Sequence, residues 1–166
     1  MALRQIRQKD DAILGKKAKT VTEITPAIWA LLNDMKQTMD HYDGVGIAAP
    51  QVGMLKRIAL VSHEEEFYEL INPEIIEQEG EQDSNEACLS VAGLCGDVVR
   101  PKRIKVSAQD RDGNEFTVTA EDFLATVFCH EIDHLNGILF TDIATNIQQL
   151  DDEKRKERKL ARKKKD

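Results

Sequence analysis

The sequence predicts an α+β fold in which antiparallel sheets pack around a central helix carrying the stretch HEIDH, with a further helix at the C-terminus. Three observations lead there. Short apolar runs bounded by glycine, proline and aspartate fill the middle of the chain, the pattern of strands joined by turns. Residues 119–137 then change to a helical period, so that Phe123, Val127, His130 and His134 share one face. The closing segment places acids before bases, the order that complements a helix dipole.

Taken in order, residues 24–43 read as a helix: Thr25 can cap it, Pro26 suits its first turn, and Ile28, Leu31, Leu32, Met35 and Met39 recur on one side. The next stretch, GVGIAAPQVG, has too many glycines, and Pro50, to continue a helix, so a loop or irregular extended segment is expected. RIALVS, YELINPEIIEQEG (broken at Pro73), ACLSVAG, RIKVSAQD and EFTVT read as short strands. Asp112 and Gly113 mark a hairpin turn that pairs the last two antiparallel. The helix over 119–137 is expected to be capped by Thr119 with Asp122 and stopped at Gly137.

Composition narrows the class. A chain of 166 residues fits one domain, expected over residues 1–150, followed by a charged, mainly basic helical tail over 151–166. No apolar run approaches the ~18 residues needed to span a bilayer, and the start MALRQIRQKD lacks the apolar core of a secretory signal, so a cytoplasmic location is expected. Three cysteines, Cys88, Cys95 and Cys129, suit reduced thiols. The net charge of −7 is uneven, because nine basic and five acidic residues give the tail +4 and leave the rest at −11. An acidic body argues against a general nucleic-acid binder, while the tail suits contact with a polyanionic partner.

The stretch FCHEIDHLNG carries the chemistry. Imidazoles four residues apart on a helix can both reach a first-row metal at ~2.0–2.1 Å, and Glu131, beside the first of them, can hold a water without being a ligand. A hydrolytic site needs a third protein ligand and an open position. A metzincin would have histidine where Phe140 stands, and Glu153 or Glu157 would have to reach in from the charged tail. Cys88, in NEACLSVAG, is the better candidate, since a thiolate is a soft ligand that brings charge into the site. Cys95 and Cys129 read as small buried apolar residues, Cys129 pointing about 100° of helix rotation away from His130. GVGIAA also fits the glycine pattern of a dinucleotide-binding turn, but no strand precedes it and Pro50 obstructs the helix that should follow.

Together GVGIAAPQ (44–51), EACLS (86–90) and HEIDH (130–134), in that order, resemble the three motifs of the peptide deformylases, and the resemblance extends from DDAILGKKAK to LNGILF. One position departs: the family has glycine between the glutamate and cysteine of its second motif, and this chain has Ala87. If that position needs positive φ or a very close backbone approach, the methyl group costs on the order of 1 kcal/mol; if it is ordinary extended backbone, alanine is harmless.

The resemblance implies a metal-dependent hydrolase that removes the formyl group from the N-terminal methionine of new polypeptides, releasing formate. Cys88, His130 and His134 would hold one divalent ion, usually Fe2+ in the family, with Zn2+, Ni2+ or Co2+ as other occupants. Glu131 would accept the proton, and Gln51 with the Leu89 backbone N–H would stabilise the oxyanion. Val45 and Gly46 would contact the substrate backbone and Val127 would wall the methionine pocket. The implied partners are N-formylmethionyl nascent peptides and, through the basic tail, the ribosome, with no membrane and no free nucleic acid. Charge and resemblance pair Arg100 with Glu86. Asp133 reads as a polar helix residue that can also orient a ligand. Two rival readings remain: a deformylase-like protein impaired by Ala87, and another metal-dependent amidase.

Overall fold

In the computed structural model, which describes residues 2–165, helix α1 (Pro26–His41) opens where Thr25 predicts. The Thr25 side chain accepts a hydrogen bond from the Ile28 N–H, and Pro26 fills the first turn. Met1 and Asp166, the outer ends of the two expected units, lie outside the described residues. Next come β1 (Gly46–Ala48), a 3-10 turn (Ala49–Val52), β2 (Ile58–His63), β3 (Glu66–Glu79), β4 (Gln82–Cys88) and β5 (Val91–Arg100). The chain continues through β6 (Arg103–Gln109), β7 (Glu115–Glu121), α2 (Asp122–Leu135), α3 (Phe140–Ile143), β8 (Thr145–Gln149) and α4 (Asp152–Lys165).

The strands form a five-stranded sheet in the order β1-β2-β3-β6-β7 and a three-stranded sheet in the order β4-β5-β8, with antiparallel pairing throughout both. Strand β2 explains how the layers stack. Its Ala59 and Val61 join a core with Ala125, Phe128 and Ile132 of α2, while Ile58 and Leu60 join another with Leu32, Met35 and Met39 of α1. A strand covered on both faces has no polar side to show, which is why IALV is apolar without interruption. The smaller sheet has its own core of Leu14, Val91, Val98, Leu139 and Phe140.

Of the two readings of GVGIAAPQVG, the structure shows the extended segment: Gly46–Ala48 pairs with β2 as a short edge strand before the 3-10 turn. Three other expectations need correction. Pro73 does not break β3: the register shifts between Ile71 and Glu74, Asn72 takes φ +52°, and its side-chain amide exchanges hydrogen bonds with the Val21 backbone. A bulge tolerates the missing proline N–H. ACLSVAG is two strand ends, since β4 closes at Cys88 and β5 starts at Val91. Finally, Thr119 does not cap α2. It is still paired with Lys105 in β7, and the chain turns sharply into the helix at Asp122, whose φ is +54°.

The far end of α2 is fastened as the sequence suggests. Gly137 takes φ +76° and passes so close to the backbone of Gly15 that a Cβ would lie 2.7 Å from its carbonyl oxygen. Arg57, just before β2, donates to the Leu135 carbonyl at 2.9 Å and to Asn136 Oδ1 at 3.0 Å. The histidine helix is thereby fixed against the sheet at its last turn.

Candidate active site

Cys88 ends β4 at an irregularity in the β4–β5 ladder, which turns its side chain toward α2. Its Sγ lies 3.3 Å from His134 Nε2, and the donor atoms of Cys88, His130 and His134 all lie within 4.8 Å of one another. Tetrahedral coordination with ordinary Zn–S and Zn–N lengths spaces neighbouring donors about 3.5 Å apart, so the cluster is close to a coordinating geometry.

The two imidazoles are held differently. His130 Nδ1 lies 2.9 Å from Glu86 Oε1, leaving its Nε2 for the cluster. Glu86 on β4 accepts from Arg100 on β5 through Nε at 2.8 Å and Nη2 at 2.7 Å, and the remaining Arg100 nitrogen donates to Asp133 on α2 at 2.6 Å. Glu86 and Arg100 are only 6% and 5% exposed. Burial alone would raise the Glu86 carboxyl, but hydrogen bonds from Arg100 and His130 hold it down to about 2. An ionised Glu86 fixes His130 as the donor in their bond and makes the ring a better ligand through its other nitrogen. Burial also opposes charge on His130, yet its bonds to Cys88 and Glu86 outweigh that and raise its pKa. At His134 burial prevails, and the neighbouring His130 adds to it, so the ring is held neutral.

Glu131 is 2% exposed, and burial, the largest influence on it, pushes its carboxyl up to about 7. Its Oε1 and the Nδ1 of His134 are buried without a protein hydrogen-bond partner. Native interiors rarely leave such atoms alone. A sulfur donor and two imidazoles beside an unpartnered carboxyl oxygen suit a divalent cation with its water. Glycine is needed at position 46 because a Cβ there would stand 2.6 Å from Glu131 Oε2.

Gln51 is oriented by its own turn. Its Oε1 accepts from the Ala48 N–H at 2.9 Å, which aims Nε2 at Cys88 Sγ (3.4 Å) and Ser90 Oγ (3.1 Å). The Leu89 backbone N–H makes no hydrogen bond to protein among the described residues. β1 is an edge strand, and the Ser62 N–H bonds to the Val45 carbonyl, so antiparallel alternation turns the N–H and C=O of Gly46 outward. Val45, Gly46, Gln51, Leu89 and Val127 line one cavity of about 870 Å³ together with Cys88, His130 and Glu131. His134 lies behind that wall, buried.

Sequence reasoning missed Ser90, which shares Gln51's amide, and Thr126, which lines the cavity one turn from Phe123 and His130. It paired Arg100 with Glu86 but did not find that the same guanidinium reaches Asp133. Cys95 and Cys129 are buried, and burial pushes the Cys129 thiol up to about 11. Ala87 sits in the extended β4 opposite Cys95 and has no positive φ.

A family model for polypeptide deformylases matches residues 3–150. The peptide deformylase of Thermoanaerobacter pseudethanolicus is 51% identical over 157 residues, 95% of this chain and 98% of that one. The peptide deformylase of Acetivibrio thermocellus is 50% identical over 160 residues, 96% of this chain and 94% of its own. Among solved structures, the peptide deformylase of Thermotoga maritima superposes with a TM-score of 0.84 at 39% identity, covering 86% of this chain and 98% of that one. That of Ehrlichia chaffeensis, in complex with actinonin, gives 0.85 at 35% identity, covering 88% and 91%.

Proposed function

Because the chain belongs to the peptide deformylase family, we propose that it hydrolyses the formyl group from the N-terminal methionine of newly made polypeptides, releasing formate. The observation that carries this reading is the convergence of one sulfur and two imidazoles beside the buried, unpartnered Glu131 oxygen. Cys88, His130 and His134 would hold one divalent metal, Fe2+ first, with Zn2+, Ni2+ and Co2+ as other occupants. Bound there, the ion would supply Lewis acidity and bring a water's pKa toward neutrality.

The chain's own residues do the rest. Glu131 accepts the proton of the attacking water and later returns it to the departing amine. The Gln51 amide and the Leu89 N–H donate to the formyl oxygen as charge builds on it, each worth ~3 kcal/mol if aimed at the oxyanion. The outward backbone of Gly46 on β1, with Val45 beside it on the cleft wall, receives the extended substrate backbone. The methionine side chain enters an apolar pocket walled by Val127, where a flexible thioether adapts well. Residues 1–150 form the catalytic unit, working in the cytoplasm. Ala87 does not impair it, a reading supported by the extended backbone at that position.

The test is formate release from a formyl-methionyl peptide by anaerobically purified protein of measured metal content. Glu131→Ala is expected to keep its metal and lose at least about 100-fold in kcat, while Ala87→Gly changes kcat/KM by less than about twofold. Metal-loaded wild type that releases no formate sinks the proposal, and hydrolysis of acetylated peptides would point to another amidase.

The tail, residues 151–166, serves as a ribosome contact in this reading. Deleting residues 152–166 is expected to weaken salt-sensitive ribosome binding while short formyl-peptides are still hydrolysed. Equal binding by both proteins removes the idea.

A further inference from the structure

Helix α4 does not project freely from the body. Arg155, Lys156, Arg158 and Lys159 line the same cavity as Cys88, His130 and Glu131. Lys159 Nζ pairs with Asp43 Oδ2 at 2.9 Å on the rim that precedes β1, and Arg158 donates to Asn85 of β4 on the opposite rim. Lys154 Nζ holds Gln148 Oε1 at 3.0 Å near the helix start. These anchors fix both the position of the helix and its rotation, so it forms the outer wall of the cleft. Arg155 and Lys156 are exposed on that wall and make no side-chain hydrogen bond or ion pair among the described residues.

From this arrangement we infer that α4 sets a preference in the substrate beyond its methionine: Arg155 and Lys156 pair with acidic side chains at about the third to fifth residues of the peptide. This rests on the deformylase reading. A chain whose first residue reaches the cluster and whose backbone follows β1 leaves the cleft alongside α4, advancing ~3.3 Å per residue. The other carboxylates of the cleft do not cancel the effect at those two residues. Glu86 is tied to Arg100, Glu131 lies buried, and Asp43 is paired with Lys159. Asp83 and Asp152 also line the cleft, so the preference is local and modest. It has the size of one exposed ion pair and weakens with salt.

The test compares kcat/KM of the metal-loaded full chain on two formyl-methionyl peptides, one with aspartate and glutamate at residues three to five and one with lysine and arginine there. Wild type is expected to favour the acidic peptide by about fivefold at low salt, mainly through KM, with the ratio falling toward one near 0.5 M salt. The double variant Arg155→Glu, Lys156→Glu is expected to favour the basic peptide. Because each ratio is internal to one protein, any loss of overall activity or stability cancels. A ratio near one in wild type, or the same ratio in wild type and variant, overturns the inference while leaving the deformylase reading intact. No formate from either peptide overturns that reading, and this inference falls with it.

Discussion

A methyl group on Gly46 would press on Glu131, meeting its carboxylate and its Cγ, side-chain atoms rather than backbone. The carboxylate therefore moves and the strand stays. Gly46→Ala is expected to cut kcat/KM for formate release by about tenfold or more, through misplacement of the proton acceptor, with metal content unchanged. Unaltered turnover would show that Glu131 works from elsewhere. The residues readable from the sequence are those whose chemistry is local: the imidazoles and Glu131 lie within five consecutive positions, and Cys88 stood out by its segment, NEACLSVAG, and the motif resemblance carried there. Ser90 and the reach of Arg100 to Asp133 were hidden because they depend on contacts between segments far apart in the chain.

Among elements, the β4–β5 hairpin is joined to α2 by a largely buried ion-pair network, Arg100 bridging Glu86 and Asp133. Arg100→Met would leave Glu86 buried without its guanidinium partner, and breaking such a pair costs about 3–5 kcal/mol. Urea unfolding should show a loss of that size, accompanied by lower metal content because His130 loses its fixed orientation. A midpoint within error of wild type would mean the network contributes little. Helices α1 and α2 were legible because their apolar period is long. β1 is three residues and too short for any alternation to register. β5 contains two glycines and an aspartate, and β8 is exposed along its whole length, so neither shows a buried-face pattern. The start of α2 was misjudged because Thr119 remains committed to the β6–β7 ladder.

For the whole molecule, the proposed ligands join separate layers, the sulfur coming from the three-stranded sheet and both imidazoles from α2. Stripping the metal is expected to lower Tm by several degrees and to speed amide exchange in β4–β5 more than in β2–β3. Identical melting of loaded and stripped protein would count against the ligand set. The α+β class and the antiparallel pairing were readable. That the larger sheet has a helix on each face was not read from the sequence, where RIALVS reads only as a short strand and a single apolar run does not by itself say what covers it. The place of α4 over the cleft was not legible, since a charged helix without an apolar stripe gives no sign of what it rests on.

The outward edge of β1 has one last consequence. An open strand edge ordinarily recruits any neighbouring strand, which is a hazard for aggregation. Here it lies inside a cleft whose outer wall is the basic helix α4. Pairing with that edge takes an extended chain whose own backbone N–H and C=O groups are still free. The clock for the proposed reaction is therefore the client's own folding, and an N-terminus already tucked into its domain has missed its turn.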